Sequence, residues 1–208
     1  MRRGFGIDAD VRLETAVAVA RMVEDAGYRS FWVNGSPHEA AFDIVESALD
    51  ATNIDVGVGV LPLTRISAEE IVEEVRSRGL PQERIWLGVG SNRRPGALEE
   101  VGQAATLFRD ELDVVVTTAA VGPRMMALAG KVADAVVLTW SFVAEVRRAR
   151  AVLSDAAAAA GRDVPTVVSY VRCALLPQGE AVVAERAGFY DSIPHYRKVF
   201  ARHDMTAA

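Results

Sequence analysis

Short apolar segments alternate with longer amphipathic segments throughout this 208-residue sequence, and this alternation restricts the fold more than any other feature. The apolar segments have the length of buried strands, and the amphipathic segments have the apolar period of helices packed on one side. Because apolar strands that alternate with helices pair in parallel, the sequence predicts a parallel sheet covered by helices. The predicted strands are Gly4–Asp8, Ser30–Asn34, Val56–Leu61, Arg84–Gly90, Asp113–Thr118, Ala135–Trp140 and Thr166–Leu175.

The predicted helices between these strands carry recognisable start and stop signals. Gly27 and Gly79 follow helices at positions that favour a left-handed residue. Ser67 and Glu70 have the spacing of a capping box, and Pro123 suits the first turn of a helix. The predicted helices are Arg12–Ala26, Glu39–Ala51, Ala68–Arg78, Ala97–Glu111, Arg124–Val132 and Phe142–Ala160, followed by a helical tail from Glu180 to His203 that is broken at Pro194.

Two architectures are compatible with this alternation. One is a closed (β/α) barrel, and the other is an open, doubly wound sheet. The seven predicted strand–helix units are one fewer than the eight of a complete barrel. No linker or change in composition divides the sequence, so residues 1–208 are predicted to form a single domain.

Composition and charge exclude several classes of partner. The chain is 50% hydrophobic and 25% charged, which is typical of a soluble globular protein. Its formal net charge is −5 and no basic stripe is present, so neither nucleic acid nor an anionic membrane is an expected partner. No segment approaches the roughly 18 apolar residues of a membrane span, and no signal peptide precedes the first strand. A cytoplasmic location is therefore expected.

The positions of the cysteine and the histidines give little indication of a metal site or a catalytic group. Cys173 is the single cysteine and lies in the last predicted strand, where a small buried apolar side chain is expected. The three histidines lack the spacing of metal ligands. His195 and His203 lie in the charged tail and are expected to be solvated. His38 follows the second strand, at the catalytic face of any barrel. It could donate a proton there, although a loop histidine without a role fits the position equally well.

Glycines cluster near the ends of the predicted strands. Pairs separated by one residue occur at Gly4 and Gly6, at Gly57 and Gly59, and at Gly88 and Gly90. None of them completes the G-x-G-x-x-G pattern of a dinucleotide-binding fold. One interpretation is that these glycines relieve crowding inside a barrel. The other is that a flat ring or a phosphate approaches the backbone at the strand ends.

The segment from Ala119 to Pro123 joins a strand to a helix and is the strongest candidate for a functional site in the sequence. The first amides of a helix lack partners within the helix, and they bind anions favourably. This turn is therefore a candidate phosphate site, with a plain strand-to-helix turn as the alternative.

Several segments together resemble the luciferase-like monooxygenase family, and the similarity extends over nearly the whole chain. The most specific segment contains Gly122-Pro123-Arg124-Met125, Leu128-Ala129-Gly130 and Ala133-Asp134. It is similar to the segment of members that use flavin or the deazaflavin coenzyme F-420. The other similar segments are Tyr28 to Asn34, Gly57 to Arg65 and Ile85 to Ser91.

The resemblance implies a TIM-type (β/α) barrel that is short or incompletely closed, with about seven β/α units. It also implies FMN or coenzyme F-420 as cofactor, a small-molecule substrate and a homodimer. The activity expected is hydride transfer or oxygen activation on the reduced ring. The alternatives are a flavin-binding protein without catalysis and an inactive dimeric barrel. By position, Gly59 and Val60 would flank a cis peptide bond beside the ring. The other implied cofactor contacts are Gly88, Gly90 and Ser91 along the ring, and Ala120, Val121 and Gly122 at the phosphate.

Two departures from the family pattern concern the catalytic acid and the end of the barrel. Better-studied members carry an acidic residue followed by histidine after the second strand, whereas this chain has Asn34 and Gly35. Asn34 and His38 are therefore the candidates for proton handling, and neither matches the family's acid. Family members also continue through an eighth strand and helix, and this sequence stops after the seventh unit.

Overall fold

Seven parallel strands form one sheet whose spatial order follows the sequence from β1 to β7. The structure is a computed structural model that describes residues 3–91 and 94–204. The strands are β1 Gly4–Ile7, β2 Ser30–Val33, β3 Asp55–Pro62, β4 Ile85–Gly90, β5 Val115–Ala119, β6 Ala135–Thr139 and β7 Thr166–Tyr170. An open doubly wound sheet would reverse its strand order at a switch point. The uninterrupted order instead confirms the barrel-type architecture.

Helices connect the strands and pack against their outer side. They are α1 Leu13–Asp25, α2 His38–Ala51, α3 Ala68–Ser77, α4 Ala97–Glu111, α5 Pro123–Val132, α6 Val143–Ala159, α7 Glu180–Asp191 and α8 Pro194–Ala201. The predicted capping box is present: Glu70 N donates to Ser67 Oγ at 3.2 Å, and Ser67 N donates to Glu70 Oε2 at 2.8 Å. Gly27 and Gly79 both have positive φ, as predicted for residues that end helices.

The sheet curls without closing. Within the described residues, β1 and β7 form its two edges. Tyr170 on β7 nevertheless reaches across the interior to β2, where its ring lies 5.9 Å from that of Trp32. A flat sheet would hold these strands far apart, because neighbouring strands are about 4.8 Å from one another. The structure is therefore an incompletely closed TIM-type barrel, as expected from seven units.

The hydrophobic core lies between the strands and the outer helices. Val56, Val58, Leu87 and Val89 alternate with glycine or tryptophan along β3 and β4, and all four are buried with residues of α2, α3 and α4. A second buried cluster joins α5, β6 and α6. This two-sided arrangement follows from the pleat, which sends successive side chains to opposite faces of the sheet.

The last strand is shorter than predicted, and the prediction that Cys173 lies buried in it was wrong. β7 ends at Tyr170, and Cys173 is exposed. The strand that pairs with β7, β6, ends at Thr139, and the following Trp140 has a positive φ of 53°. Because the chain leaves the sheet at Trp140, the apolar run after Tyr170 has no strand to pair with.

The helical tail is held against α6 by a buried carboxylate. Glu145 is 6% exposed and accepts hydrogen bonds from Arg148, Arg202 and His203. Burial alone raises the pKa of Glu145, but the His203 hydrogen bond and the neighbouring positive charges bring the net pKa below 4.5. The ring of His203 also lies 4.3 Å from that of Phe142. The prediction of a solvated His203 was therefore wrong.

None of the helices in residues 3–91 and 94–204 combines the length and the apolar character needed to cross a bilayer.

Candidate functional site

The predicted ring-binding segment lies at an irregularity in β3. The pairing of β3 with β4 shifts between Val58 and Leu61, and the Gly59–Val60 bond between them is cis, as the resemblance implied. The Val60 side chain turns toward β4, where its methyl groups lie 2.8–2.9 Å from the positions that Cβ atoms of Gly88 and Gly90 would take. The structure therefore brings four predicted site residues together: Gly59, Val60, Gly88 and Gly90.

Aromatic side chains fill the barrel beside these glycines. A Cβ atom on Gly57 would lie 2.3 Å from the Trp32 ring, and one on Gly59 would lie 2.0 Å from the Tyr170 hydroxyl. Trp86 packs edge-on against Trp32, with ring centroids 5.8 Å apart. The crowding interpretation thus accounts for Gly57 and Gly59. Glycine at these positions makes room for the protein's own rings.

The Tyr170 hydroxyl is buried and has no hydrogen-bond partner among the described residues. Burial raises the pKa of Tyr170 well above its ordinary value of 10, so the phenol stays protonated and remains a donor. Sequence reasoning placed Tyr170 in the last strand but gave it no role. A single tyrosine in an apolar strand carries no signal that it will cross the barrel.

The predicted phosphate segment lies between β5 and α5. Ala120 is buried, whereas Val121 and Gly122 are exposed. Gly122 is the N-cap of α5 and supplies no capping side chain, and a Cβ atom there would meet open space. Arg124, in the first turn, is exposed and forms no ion pair with any residue of the described ranges. A positive helix end with an unpaired cation favours an anion.

Asn34 lies at the carboxyl end of β2 and binds the neighbouring strand. Its side-chain amide donates to Asp8 Oδ1 at 3.3 Å. Asp8 follows β1 and also pairs with Arg186 of α7 at 3.5 Å. These three residues connect β1, β2 and the tail across the open side of the barrel. The observed contacts of Asn34 are therefore with a structural ion pair.

His38 lies apart from the other predicted site residues. It lines a surface groove of about 280 Å³ together with Arg65 and with acidic residues of α3 such as Glu70. No other predicted site residue lines this groove. Its Nε2 atom lies 3.3 Å from Glu39 Oε1. The structure therefore groups His38 with an acidic helix face.

Ser91 follows β4 directly, and its hydroxyl is buried without a hydrogen-bond partner in the described part of the chain. Among the described residues, Thr118 near the end of β5 and Tyr170 at the end of β7 also carry buried hydroxyls without a hydrogen-bond partner. Residues 3–91 and 94–204 contain no group of three or more acidic, histidine or cysteine side chains placed to hold a metal ion.

Residues 105–208 match a family model described as luciferase-like monooxygenase. The uncharacterised protein YwcH of Bacillus subtilis strain 168 is 35% identical over 103 residues, which is 45% of this chain and 30% of YwcH. This chain therefore spans less than a third of that curated relative.

Solved structures with the same fold include two enzymes that use coenzyme F420. The F420-dependent tetrahydromethanopterin reductase from Methanopyrus kandleri superposes with a TM-score of 0.66 and 16% identity, over 82% of this chain and 65% of that one. An F420-dependent secondary alcohol dehydrogenase bound to an F420–acetone adduct superposes with a TM-score of 0.67 and 17% identity, over 81% of this chain and 68% of that one.

A riboflavin lyase bound to modified FMN and riboflavin gives a TM-score of 0.63 and 10% identity, over 89% of this chain and 65% of that one. At these identities the structural likeness concerns the fold, and the family follows from the match over residues 105–208. That match includes the strand-to-helix turn at Gly122 and the strand that carries Tyr170. The chain belongs to the luciferase-like monooxygenase family.

Proposed function

We propose that this chain binds FMN or coenzyme F-420 at the carboxyl ends of its strands and acts in a flavin- or deazaflavin-dependent oxidation or reduction of a small molecule. The observation that carries the proposal is the start of α5, where the helix has no capping side chain and open space surrounds Gly122. Arg124 in the same turn forms no ion pair with residues 3–91 or 94–204. Such an arrangement suits a phosphate group. Membership in the luciferase-like family supports the same cofactor class.

The residues of the chain fit such a cofactor in three respects. The amides around Val121 and Gly122, with Arg124, would hold the phosphate. Gly90 and Ala119 keep bulky side chains away from the strand ends beside Val60, where a Cβ atom on Gly90 would lie 3.3 Å from the Cβ atom of Ala119. The buried hydroxyl of Ser91 supplies a polar group without a partner among the described residues. When bound, a reduced flavin or deazaflavin supplies a hydride or activates oxygen, and the protein contributes position and exclusion of water.

Replacing Gly122 by aspartate should weaken FMN binding at least tenfold, about 1.4 kcal/mol. The carboxylate would stand where the phosphate is expected and would repel it. The same carboxylate is a good N-cap, so the variant should be as stable as the parent chain or more stable by a few tenths of a kcal/mol. Titration of each variant with FMN, with riboflavin and with F-420, together with thermal unfolding, measures both effects.

Gly122→Ala is the matched control, because a Cβ atom at this position meets nothing within 4 Å. It should bind FMN like the parent chain. Riboflavin lacks the phosphate, so its affinity should be unchanged by Gly122→Asp. Equal FMN affinity in the aspartate and alanine variants would place the phosphate elsewhere. A parent chain that binds none of the three compounds would refute the proposed function.

A second candidate function is flavin binding without catalysis, and the proton-handling candidates favour it. Asn34 is engaged with Asp8, and His38 lies in a groove lined by acidic residues. His38 lies in a groove that Gly59, Val60 and Gly88 do not line. Tight binding of FMN or F-420 without turnover of any reduced cofactor would support this second function over the first.

We further propose that the chain forms a homodimer. β1 and β7 are edge strands within the described residues, and Phe5 on β1 is 44% exposed. Edge strands with exposed apolar side chains favour association. Light scattering at micromolar concentration should give twice the 22.4 kDa mass of the chain, and Phe5→Lys should shift the mass toward one chain. A parent protein that scatters as a single chain contradicts this proposal.

A further inference from the structure

We propose that Tyr170 is a cofactor-binding residue, whose buried hydroxyl donates a hydrogen bond to the ring system of the bound flavin or deazaflavin. This inference rests on the proposed function and adds a residue of β7 to a site otherwise built from β3, β4 and α5.

Tyr170 is the last residue of β7 and therefore lies at the carboxyl end of the barrel. Its ring crosses the interior and packs edge-on against Trp32, with centroids 5.9 Å apart and planes at 76°. Its hydroxyl reaches Gly59, where even a Cβ atom would lie only 2.0 Å away. The phenol thus ends against the irregular segment of β3 that holds Val60.

The surroundings fix this side chain in place. Trp32 is 4% exposed, and its own indole N–H is satisfied by Ser30 Oγ at 2.9 Å. Trp86 supports Trp32 from the next strand but one. The aromatic ring of Tyr170 would pack equally well without its hydroxyl, so packing alone does not account for a tyrosine at this position.

The hydroxyl lacks the partner that buried polar groups normally have. No described residue accepts from it or donates to it, although nearly all buried polar groups in proteins are paired. An unpaired buried hydroxyl destabilises a fold, and such groups occur where a ligand completes the hydrogen bond. Because the phenol remains protonated, it is available to donate to an acceptor. The carbonyl oxygens and ring nitrogens of a flavin or deazaflavin are acceptors of this kind.

Tyr170→Phe tests the inference, because it removes the hydroxyl and leaves the ring. The variant should bind FMN and riboflavin about fivefold to tenfold more weakly than the parent chain. Both ligands should lose affinity by the same factor, since the lost contact is with the ring system. If neither flavin binds the parent chain, F-420 is the probe. Tyr28→Phe is the matched control, because Tyr28 packs with Phe5 and Arg3, away from Gly59 and Trp32.

A second measurement needs no ligand. Ligand-free Tyr170→Phe should unfold at the same temperature as the parent chain or at a higher one, because the removed hydroxyl has no hydrogen-bond partner in the described part of the chain. A lower midpoint would show that the hydroxyl is bonded within the ligand-free protein, and it would overturn the inference.

Affinity separates the remaining outcomes. Unchanged binding by Tyr170→Phe, while the parent chain binds FMN, overturns the role of Tyr170 and leaves the proposed function intact. Tighter binding would mean that the phenol fills the ring's place, which also overturns it. A parent chain that binds neither flavin nor F-420 refutes the proposed function and this inference together.

Discussion

Replacing Gly88 by alanine is expected to destabilise the fold by about 3 kcal/mol, at the upper end of the range for an overpacked interior. The added Cβ atom would lie 2.2 Å from the carbonyl oxygen of Val58 and 2.8 Å from a methyl group of Val60. The first of these atoms belongs to the backbone of β3, which is paired with β4. It cannot move away without breaking that pairing. Denaturant unfolding followed by circular dichroism measures the loss.

Gly188→Ala is the control for this prediction. Gly188 lies within α7, and a Cβ atom there meets nothing within 4 Å. Alanine is favoured over glycine inside a helix, so this variant should gain up to about 1 kcal/mol in stability. Two glycine-to-alanine substitutions in one chain are thus expected to act in opposite directions. A Gly88→Ala protein as stable as the parent would show that β3 and β4 lie further apart than described.

Glu145→Gln is expected to cost about 2 kcal/mol and to loosen the tail. The carboxylate is buried among Arg148, Arg202 and His203, and the amide would leave the positive charges of the two arginines without a counter-charge. The full cost of a buried pair is not expected, because the Arg148 and Arg202 side chains are 59% and 47% exposed. Limited proteolysis should cleave residues 180–204 of the variant before the rest of the chain.

The pH dependence of stability provides an independent check on Glu145. Its folded-state pKa is below 4.5, so its contribution is complete above pH 4.5 and is lost as the pH falls through the folded pKa. Glu145→Gln should therefore lose less stability than the parent chain as the pH falls below 4.5. Glu39→Gln is the control. Glu39 is 72% exposed beside His38, and its removal should change stability by about 0.5 kcal/mol or less. Identical acid profiles for the parent and Glu145→Gln would contradict the assigned network.

Local patterns in the sequence were sufficient for the elements of the fold. Each of the seven predicted strands is present, α4 has the predicted bounds, and the capping box at Ser67 and the glycine ends at Gly27 and Gly79 are confirmed. These features depend on residues only a few positions apart. Periodicity, capping and left-handed glycine conformations act over one or two turns, so a linear sequence shows them directly.

The errors concern residues whose surroundings come from distant parts of the chain. Cys173 was placed in a strand because its neighbours are apolar, but β6 had already ended and offered no partner. His203 was expected in solvent, but it lies against Phe142 and Glu145, which are about sixty residues earlier. Neither outcome depends on local propensity.

The candidate site divides in the same way. The sequence by itself determined a parallel β/α alternation, the glycine-flanked strand ends and the helix that begins at Pro123, because each is encoded within a few neighbouring residues. Only the tertiary structure decided that the curled sheet carries Tyr170 across to Gly59, that Val60 lies over Gly88, and that His38 lies in a separate groove. Tyr170 and Gly59 are more than a hundred positions apart in sequence. Their contact exists because seven strands curl toward a barrel, and the curvature of a sheet is a property of all its strands together.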